Sequence, residues 1–361
     1  MGKRQRSLEA LTPSLHNLVS APAHSPQHPV FARIVELVVP VPMRAFVTGA
    51  TGMVGSQLVK HLLARGDEVV VLVRDHDPHC ELMRSGAIQQ TSVVSGALED
   101  VVTLERALVQ HAPDVVLHLG AQTQVGAAVR QPLDNFEANV RGTWNLLEAC
   151  RRQRDLLQAI VIASTDKVYG DHGGVAYTED MPLDGKYPYD ASKVAAEIVV
   201  RSYQHTFDLP VVIARCGNIF GPGDLNWARL IPGTIKDALA RRRPVVRSDG
   251  TLIRDYFFVD DAVSAYLALA DNAGRSDVRG QAFNFSADEP LNVLEVIARI
   301  GAALGTPLVP DVQNTAQHEI VAQRLSSAKA RRVLAWKPQY TFDAALQKTI
   351  VWYKSFLGAQ A

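Results

Sequence analysis

The run Arg44–Thr48, followed at once by Gly49, Gly52 and Gly55 and then by an amphipathic stretch, constrains the fold of this chain more than any other feature. Arg44–Thr48 reads as a short apolar strand and Val54–Ala64 as a helix, with Gly66 where a C-terminal cap needs a left-handed residue. In such a turn one glycine makes the tight bend, one lets the backbone approach a pyrophosphate, and one lets the helix pack close to the strand. The helix N-terminus then faces the negative charge. Three glycines alone are a weak signal. Here a second apolar run, Glu68–Val73, follows in the order a parallel βαβ unit requires, which favours a dinucleotide site over a plain βα turn. The second strand should end in a group that reads the adenine ribose, an acid for NAD or a base for the extra phosphate of NADP. The chain offers Arg74 and Asp75 side by side, so NAD(P) is expected with the choice open. Asp100, after the third strand, is placed to reach the adenine.

The same rhythm continues downstream. Strands are expected at Thr91–Val94, Asp114–Leu119, Ala159–Ser164 and Pro210–Arg215, and helices at Leu133–Arg152 and Tyr189–Phe207. The strands are Val-rich without alternation, so both sheet faces should be covered. This is the pattern of an α/β chain with a Rossmann-like doubly wound parallel sheet. Beyond Arg215 the rhythm breaks into Gly- and Pro-rich loops, with a strand-like Gln281–Phe285 returning later. Residues 43–215 therefore read as an NAD(P)-binding domain. Residues 216–361 read mainly as a smaller C-terminal substrate-binding lobe with segments that return to the first. Residues 1–42 carry six prolines and read as a poorly ordered leader or a mis-assigned start, since Met43 directly precedes the first strand.

Lys plus Arg and Asp plus Glu both number 37, so no net field recruits nucleic acid or an acidic membrane, and phosphates must be held locally. The apolar stretch Val30–Val39 is interrupted by Arg33 and Glu36 and is too short to span a bilayer. Cys80, Cys150 and Cys216 are far apart, with neither disulfide nor zinc spacing, which suggests a reducing cytoplasm and no metal.

Tyr189 and Lys193 lie four residues apart, on one face of the expected helix. A nearby ammonium and a positive nicotinamide ring would favour the phenolate, bringing a group of pKa ~10 toward use as a base. Thr165, Asp166 and Lys167 end the fifth strand, and chemistry in parallel sheets sits beyond the carboxyl ends of strands. Asp166 and Lys167 read either as an acid/base pair or as a rim salt bridge. In the second lobe Arg229 and Arg254 suit phosphate oxygens, which guanidinium binds bidentately. Trp227 could stack on a base or simply pack under a loop.

Together with His118-Leu119-Gly120-Ala121-Gln122, Asn139-Val140-Arg141-Gly142-Thr143, Pro188-Tyr189-Asp190-Ala191-Ser192-Lys193 and Arg215-Cys216-Gly217-Asn218-Ile219-Phe220-Gly221, these residues resemble the extended short-chain dehydrogenase/reductases. Within them the chain resembles the nucleotide-sugar epimerases and dehydratases, most of all the CDP-glucose 4,6-dehydratases, which pair Asp with Lys after the catalytic Thr. The resemblance covers about Met43 to Leu357 and implies cofactor contacts from Gly49, Thr51, Gly52, Met53, Val54, Arg74, Leu119, Ala121, Gln122, Asn139, Tyr189 and Lys193. It implies substrate contacts from Gln122, Asn218, Arg229, Leu230 and Arg254. The implied reaction oxidises C4 of an NDP-glucose, eliminates water across C5–C6 and returns hydride to C6, with NAD(P)+ recycled. Thr165, Asp166, Lys167, Tyr189 and Lys193 would be its catalytic residues. A nucleotide-sugar 4-epimerase or nucleotide-hexuronate epimerase is the alternative, and a non-catalytic dinucleotide-binding regulator a second. A homodimer through the Leu133–Arg152 and Tyr189–Phe207 helices is also implied.

Overall fold

The apolar runs become the parallel strands β1 (Arg44–Thr48), β2 (Glu68–Val73), β3 (Ser92–Ser95), β4 (Val115–His118), β5 (Ala159–Thr165) and β6 (Val211–Cys216). The computed structural model describes residues 42–315 and 320–358, so the expectation for the leader lies outside the described residues. Ala282–Phe285 joins as a seventh strand, and the sheet order is Ala282–Phe285, β6, β5, β4, β1, β2, β3. Both faces are covered, which explains the unbroken valine runs. Ala45, Val47, Val69 and Val71 pack with Leu58, Leu62, Val263 and Leu269 on one side. Phe46, Val70, Leu72 and Val116 pack with Leu104, Leu108, Leu146 and Val200 on the other. Those partners lie on helices Met53–Arg65 and Val259–Asn272, and on helices Val101–His111, Gly142–Arg152 and Pro188–Phe207.

Gly66 takes φ 88° and caps the first helix through the carbonyls of Leu62 and Leu63. The expected helix Leu133–Arg152 forms as a continuous helical run from Pro132 to Arg152, with one π turn inside it. Helix Val125–Arg130 ends before Pro132, which starts a new helix, Pro132–Phe136. The next turn, Glu137–Arg141, widens into a π-helix before Gly142–Arg152 resumes the α geometry. Single π turns of this kind are common at functional sites. This one carries Asn139, which is 2% exposed.

The chain runs outward from β1 through β2 to β3, then crosses to β4 on the other side of β1. That reversal opens a crevice beyond the carboxyl ends of β1 and β4. Three further segments meet around Ile253–Phe258: Asn218–Phe220 and Ala322–Gln323 pair with it in parallel and Pro290–Asn292 antiparallel. Phe220, Tyr256, Phe258, Phe342 and Tyr353 form the aromatic core of this second layer. Helix Val259–Asn272 and strand Ala282–Phe285 run back to the large sheet. Among the described residues no helix is long and apolar enough to cross a membrane.

Candidate active site

The glycine turn separates three jobs. Gly49 has φ +72°, and a Cβ there would meet the backbone nitrogen of Gly120 at 2.6 Å. A Cβ on Gly55 would lie 2.1 Å from the Gly49 carbonyl oxygen, so only glycine lets the helix sit on the turn. Gly52 differs, with an ordinary φ of −74°. A Cβ there would approach nothing closer than the Gly49 oxygen at 3.3 Å. Gly52 is the helix N-cap, no side chain caps it, and no acid occupies the first turn. The free N–H groups and the positive helix end thus face open space beside Gly52, which fits the pyrophosphate of NAD(P). Thr51, Met53 and Val54 flank that opening.

Across the switch point, the segment from Leu119 to Gln122 follows β4. Thr48 Oγ1 sits 2.8 Å from His118 Nδ1 and accepts the Gly120 N–H at 3.1 Å, while Thr143 Oγ1 lies 3.1 Å from His118 Nε2. Burial, with the Lys193 ammonium adding to it, pushes the His118 imidazole down to about 3, so a neutral ring braces the two strands. Asn139 Oδ1 accepts the Gln122 N–H at 2.7 Å, and its Nδ2 donates to the Gln122 carbonyl at 3.0 Å and to Ser192 Oγ at 2.9 Å. Asn139 therefore ties the crevice wall to the helix that carries Tyr189 and Lys193. Arg74 and Asp75 are exposed at the end of β2 and ion-paired at 2.6 Å. Asp100, the expected adenine contact, has a structural role of its own. It caps helix Val101–His111, accepting the Thr103 N–H at 3.1 Å and the Thr103 hydroxyl at 2.6 Å.

Thr165 ends β5 and caps the short 3-10 turn Asp166–Tyr169, accepting the Lys167 N–H at 3.3 Å and donating its hydroxyl to Asp166 Oδ1 at 3.0 Å. Asp166 is 2% exposed, and its other oxygen has no protein partner. Burial raises its pKa against the pull of Lys167, the Thr165 hydroxyl and Arg254, so this carboxyl holds its proton more tightly than an ordinary aspartate. Lys167 Nζ donates to Gln323 Oε1 at 3.4 Å. Tyr189, one residue into its helix after Pro188, is buried, and burial raises the phenol while Arg229 and a hydrogen bond from Thr165 lower it. Lys193 Nζ donates to the Ala163 carbonyl at 2.9 Å, and burial draws the amine down to about 8. The Arg229 charge, from the second lobe, also favours the Tyr189 phenolate.

Several groups here escaped the sequence reading. Asp190 is buried, and its carboxyl is pushed up to about 6 by burial, with Lys167 lowering it and Asp166 raising it. Asp255 is also raised to about 6, chiefly by burial, and accepts the Leu325 N–H. Behind β5, the fully buried Arg215 makes a two-pronged bond to Glu197 at 2.9 and 2.5 Å and donates to Tyr169 Oη at 2.7 Å. Glu197 also accepts the Ser164 hydroxyl at 2.6 Å, so this network holds the end of β5 in place.

A cavity of about 440 Å³ opens in the second lobe, with Asn218, Arg229, Leu230 and Arg254 among its walls. Arg229 Nη1 donates to Asp224 Oδ2 at 3.1 Å and to the Ile219 carbonyl at 3.2 Å. Trp227 borders the cavity, but its ring packs 5.7 Å from that of Tyr353 and under Lys236 at 4.5 Å. Arg229, a wall residue of the cavity, also lies within electrostatic reach of Tyr189, so the cavity neighbours the end of β5. The region comprises an uncapped helix N-terminus at the glycine turn, a phenol and a buried acid beside an amine, and an arginine-walled cavity.

Residues 45–285 match the family described as "NAD dependent epimerase/dehydratase family". The chain is 31% identical over 342 residues to a dTDP-glucose 4,6-dehydratase of Neisseria meningitidis serogroup B, covering 86% of this chain and 93% of that protein. It is 32% identical over 317 residues to a UDP-glucose 4-epimerase of Mycolicibacterium smegmatis, covering 87% and 99%. Among solved structures, DesIV, a dTDP-glucose 4,6-dehydratase of Streptomyces venezuelae with NAD bound, superposes with a TM-score of 0.78 at 28% identity, covering 88% of this chain and 98% of that one.

Proposed function

The chain belongs to the NAD dependent epimerase/dehydratase family of nucleotide-sugar enzymes, and from that premise we propose that it is a nucleotide-sugar 4,6-dehydratase. The observation that carries this reading is Asp166, a buried carboxyl with a raised pKa and an unpartnered oxygen, beside the Lys167 amine. Epimerisation at one carbon needs only one acid/base group. Elimination from adjacent carbons needs one group to take a proton and another to give one.

When bound in the glycine turn, NAD(P)+ would supply a positive ring that favours the Tyr189 phenolate and the hydride-carrying capacity that links oxidation at C4 to reduction at C6. Tyr189 removes the 4-hydroxyl proton, with Thr165 beside it as hydrogen-bond donor. The 4-ketone acidifies the C5 proton, which Lys167 takes as a neutral amine while Asp166 protonates the departing 6-hydroxyl as water. Lys167 then returns its proton to C5. Lys193 and Asn139 hold the helix and crevice wall in register, and the backbone N–H groups at Gly52–Val54 hold the pyrophosphate. Arg229, Arg254 and Asn218 take the nucleotide diphosphate, with Leu230 and Gln122 closing around the sugar. The product is an NDP-4-keto-6-deoxy sugar. CDP-glucose is the preferred substrate in this reading, supported by the Asp–Lys pair, although the relatives compared above act on dTDP- and UDP-sugars by name.

NAD is the proposed cofactor form. Asp75 already engages Arg74, which weakens the attraction of Arg74 for a 2′-phosphate, and the S. venezuelae structure holds NAD. A homodimer is proposed on the exposed apolar side chains Leu133, Trp144 and Ile198 of the Pro132–Phe136, Gly142–Arg152 and Pro188–Phe207 helices. A cytoplasmic location is proposed on three buried free thiols. Two variants test the reaction. Asp166→Asn and Lys167→Met should each abolish 6-deoxy product, and retention of that product by both would overturn the assignment. A 4-epimerase is the second reading, favoured by the M. smegmatis relative.

A further inference from the structure

Lys167 reaches across the site to a residue 156 positions away in sequence. Gln323 lies on the two-residue strand Ala322–Gln323, which is pinned from three sides. It pairs with Ile253 and Arg254. Asp255 holds the Leu325 N–H, and Tyr177 bonds the main chain of Arg324 and Ser326 at 2.7 and 2.9 Å. Gln323 is 1% exposed, and its amide nitrogen is buried without a protein acceptor. A buried amide in this position is costly unless it serves a partner.

We propose that Gln323 is the positioning residue of Lys167. Its amide oxygen fixes the amine through one N–H while adding no negative charge. The choice of a neutral acceptor matters because the groups around Lys167 are otherwise charged or acidic. Asp166 lies on its own turn, Asp190 on the helix of Tyr189, and Arg254 and Asp255 on the neighbouring strand. A carboxylate in place of Gln323 would hold Lys167 as an ammonium, which cannot take a proton. An amide oxygen can accept an N–H of the neutral amine and, being uncharged, favours the ammonium far less than a carboxylate would, which leaves the lone pair free to point elsewhere.

This inference rests on the dehydratase reading for its purpose, but the coupling between Gln323 and Lys167 is tested without it. Competitive labelling of the full chain with an amine-acylating reagent across a pH series, read by mass spectrometry of the peptide carrying Lys167, reports the titration of that amine. Gln323→Glu should move its midpoint upward by about one pH unit or more, since a carboxylate beside an amine favours the charged form. The pH profile of water loss should move with it. Superimposable labelling curves for Gln323→Glu and wild type would overturn the proposal. Gln323→Met keeps the volume, removes the acceptor and adds no charge. It should lower kcat for water loss about tenfold or more, with KM within about threefold, the pattern of an interaction made in the transition state. Wild-type kcat in this variant would also overturn the proposal. If wild type removed no water from any nucleotide-sugar while the labelling shift was present, the dehydratase reading would fail and the Gln323–Lys167 coupling would stand.

Discussion

Gly52 and Gly55 stand three residues apart in one turn, yet alanine should do opposite things at the two positions. At Gly55 the added Cβ would sit 2.1 Å from the Gly49 carbonyl oxygen, 2.7 Å from its carbon and 2.8 Å from Ala50 Cα. All are backbone atoms, so nothing moves out of the way cheaply. Relief requires the helix to lift from the turn by roughly an ångström, and overpacking of this kind costs about 1–3 kcal/mol or more. Gly55→Ala should therefore melt measurably lower than wild type with no ligand present. At Gly52 the φ of −74° suits alanine, and its Cβ meets only the Gly49 oxygen at 3.3 Å. Gly52→Ala should melt within about 2 °C of wild type, because a substitution that breaks no contact stays near ±0.5 kcal/mol. Its methyl enters the space where a phosphate approaches the helix start. Displacing a charged acceptor from one or two backbone N–H groups costs about 1.5–3 kcal/mol. NAD affinity should fall about tenfold to a hundredfold. Thermal melting without ligand and calorimetric titration with NAD separate the two effects. Undiminished NAD binding by Gly52→Ala, or wild-type melting of Gly55→Ala, would refute this division of labour.

Glu197→Ala strands the buried Arg215 guanidinium. Breaking one side of such a pair costs about 3–5 kcal/mol, so melting should drop by roughly 5–10 °C, and adding Arg215→Met should recover part of the loss. Asp190 binds its proton more tightly in the folded chain, at about 6 against 3.8. Its contribution to stability is present below pH 4 and lost as pH rises through about 6. Asp190→Asn should thus melt above wild type at pH 8 and converge with it near pH 4. Ala335 adopts φ 52° at the end of helix Ala328–Leu334. Ala335→Gly should stabilise the chain by about 1 kcal/mol, read as a higher denaturant midpoint at unchanged slope. Asp75→Asn releases Arg74 and should raise the preference for NADP over NAD about threefold to tenfold in paired titrations.

What could be read from the sequence was whatever the chain settles locally. β1 and β2 have the bounds their valine runs suggest, Gly66 caps its helix, and Tyr189 opens its own, because each depends on neighbours within a turn or on burial of both sheet faces. The helix from Leu133 to Arg152 was legible, but the π turn that carries Asn139 has no sequence signature of its own. The capping role of Asp100 was missed, since a position read as facing an adenine is also the N-cap of the next helix, and Thr103 completes that cap. Gln323 and Asp255 were out of reach for another reason. Each meets the end of β5 only after the second lobe has folded over it, and no local periodicity marks a polar residue that becomes buried through a contact 156 positions away.

The most direct measurement is the product formed from CDP-, dTDP-, UDP- and GDP-glucose by purified protein supplied with NAD, followed by mass spectrometry and proton NMR. The expected result is a nucleotide-sugar lighter by one water and bearing a C6 methyl, formed fastest from CDP-glucose and absent with Asp166→Asn. An epimer of unchanged mass without that methyl would contradict the role assigned to Asp166 and Lys167.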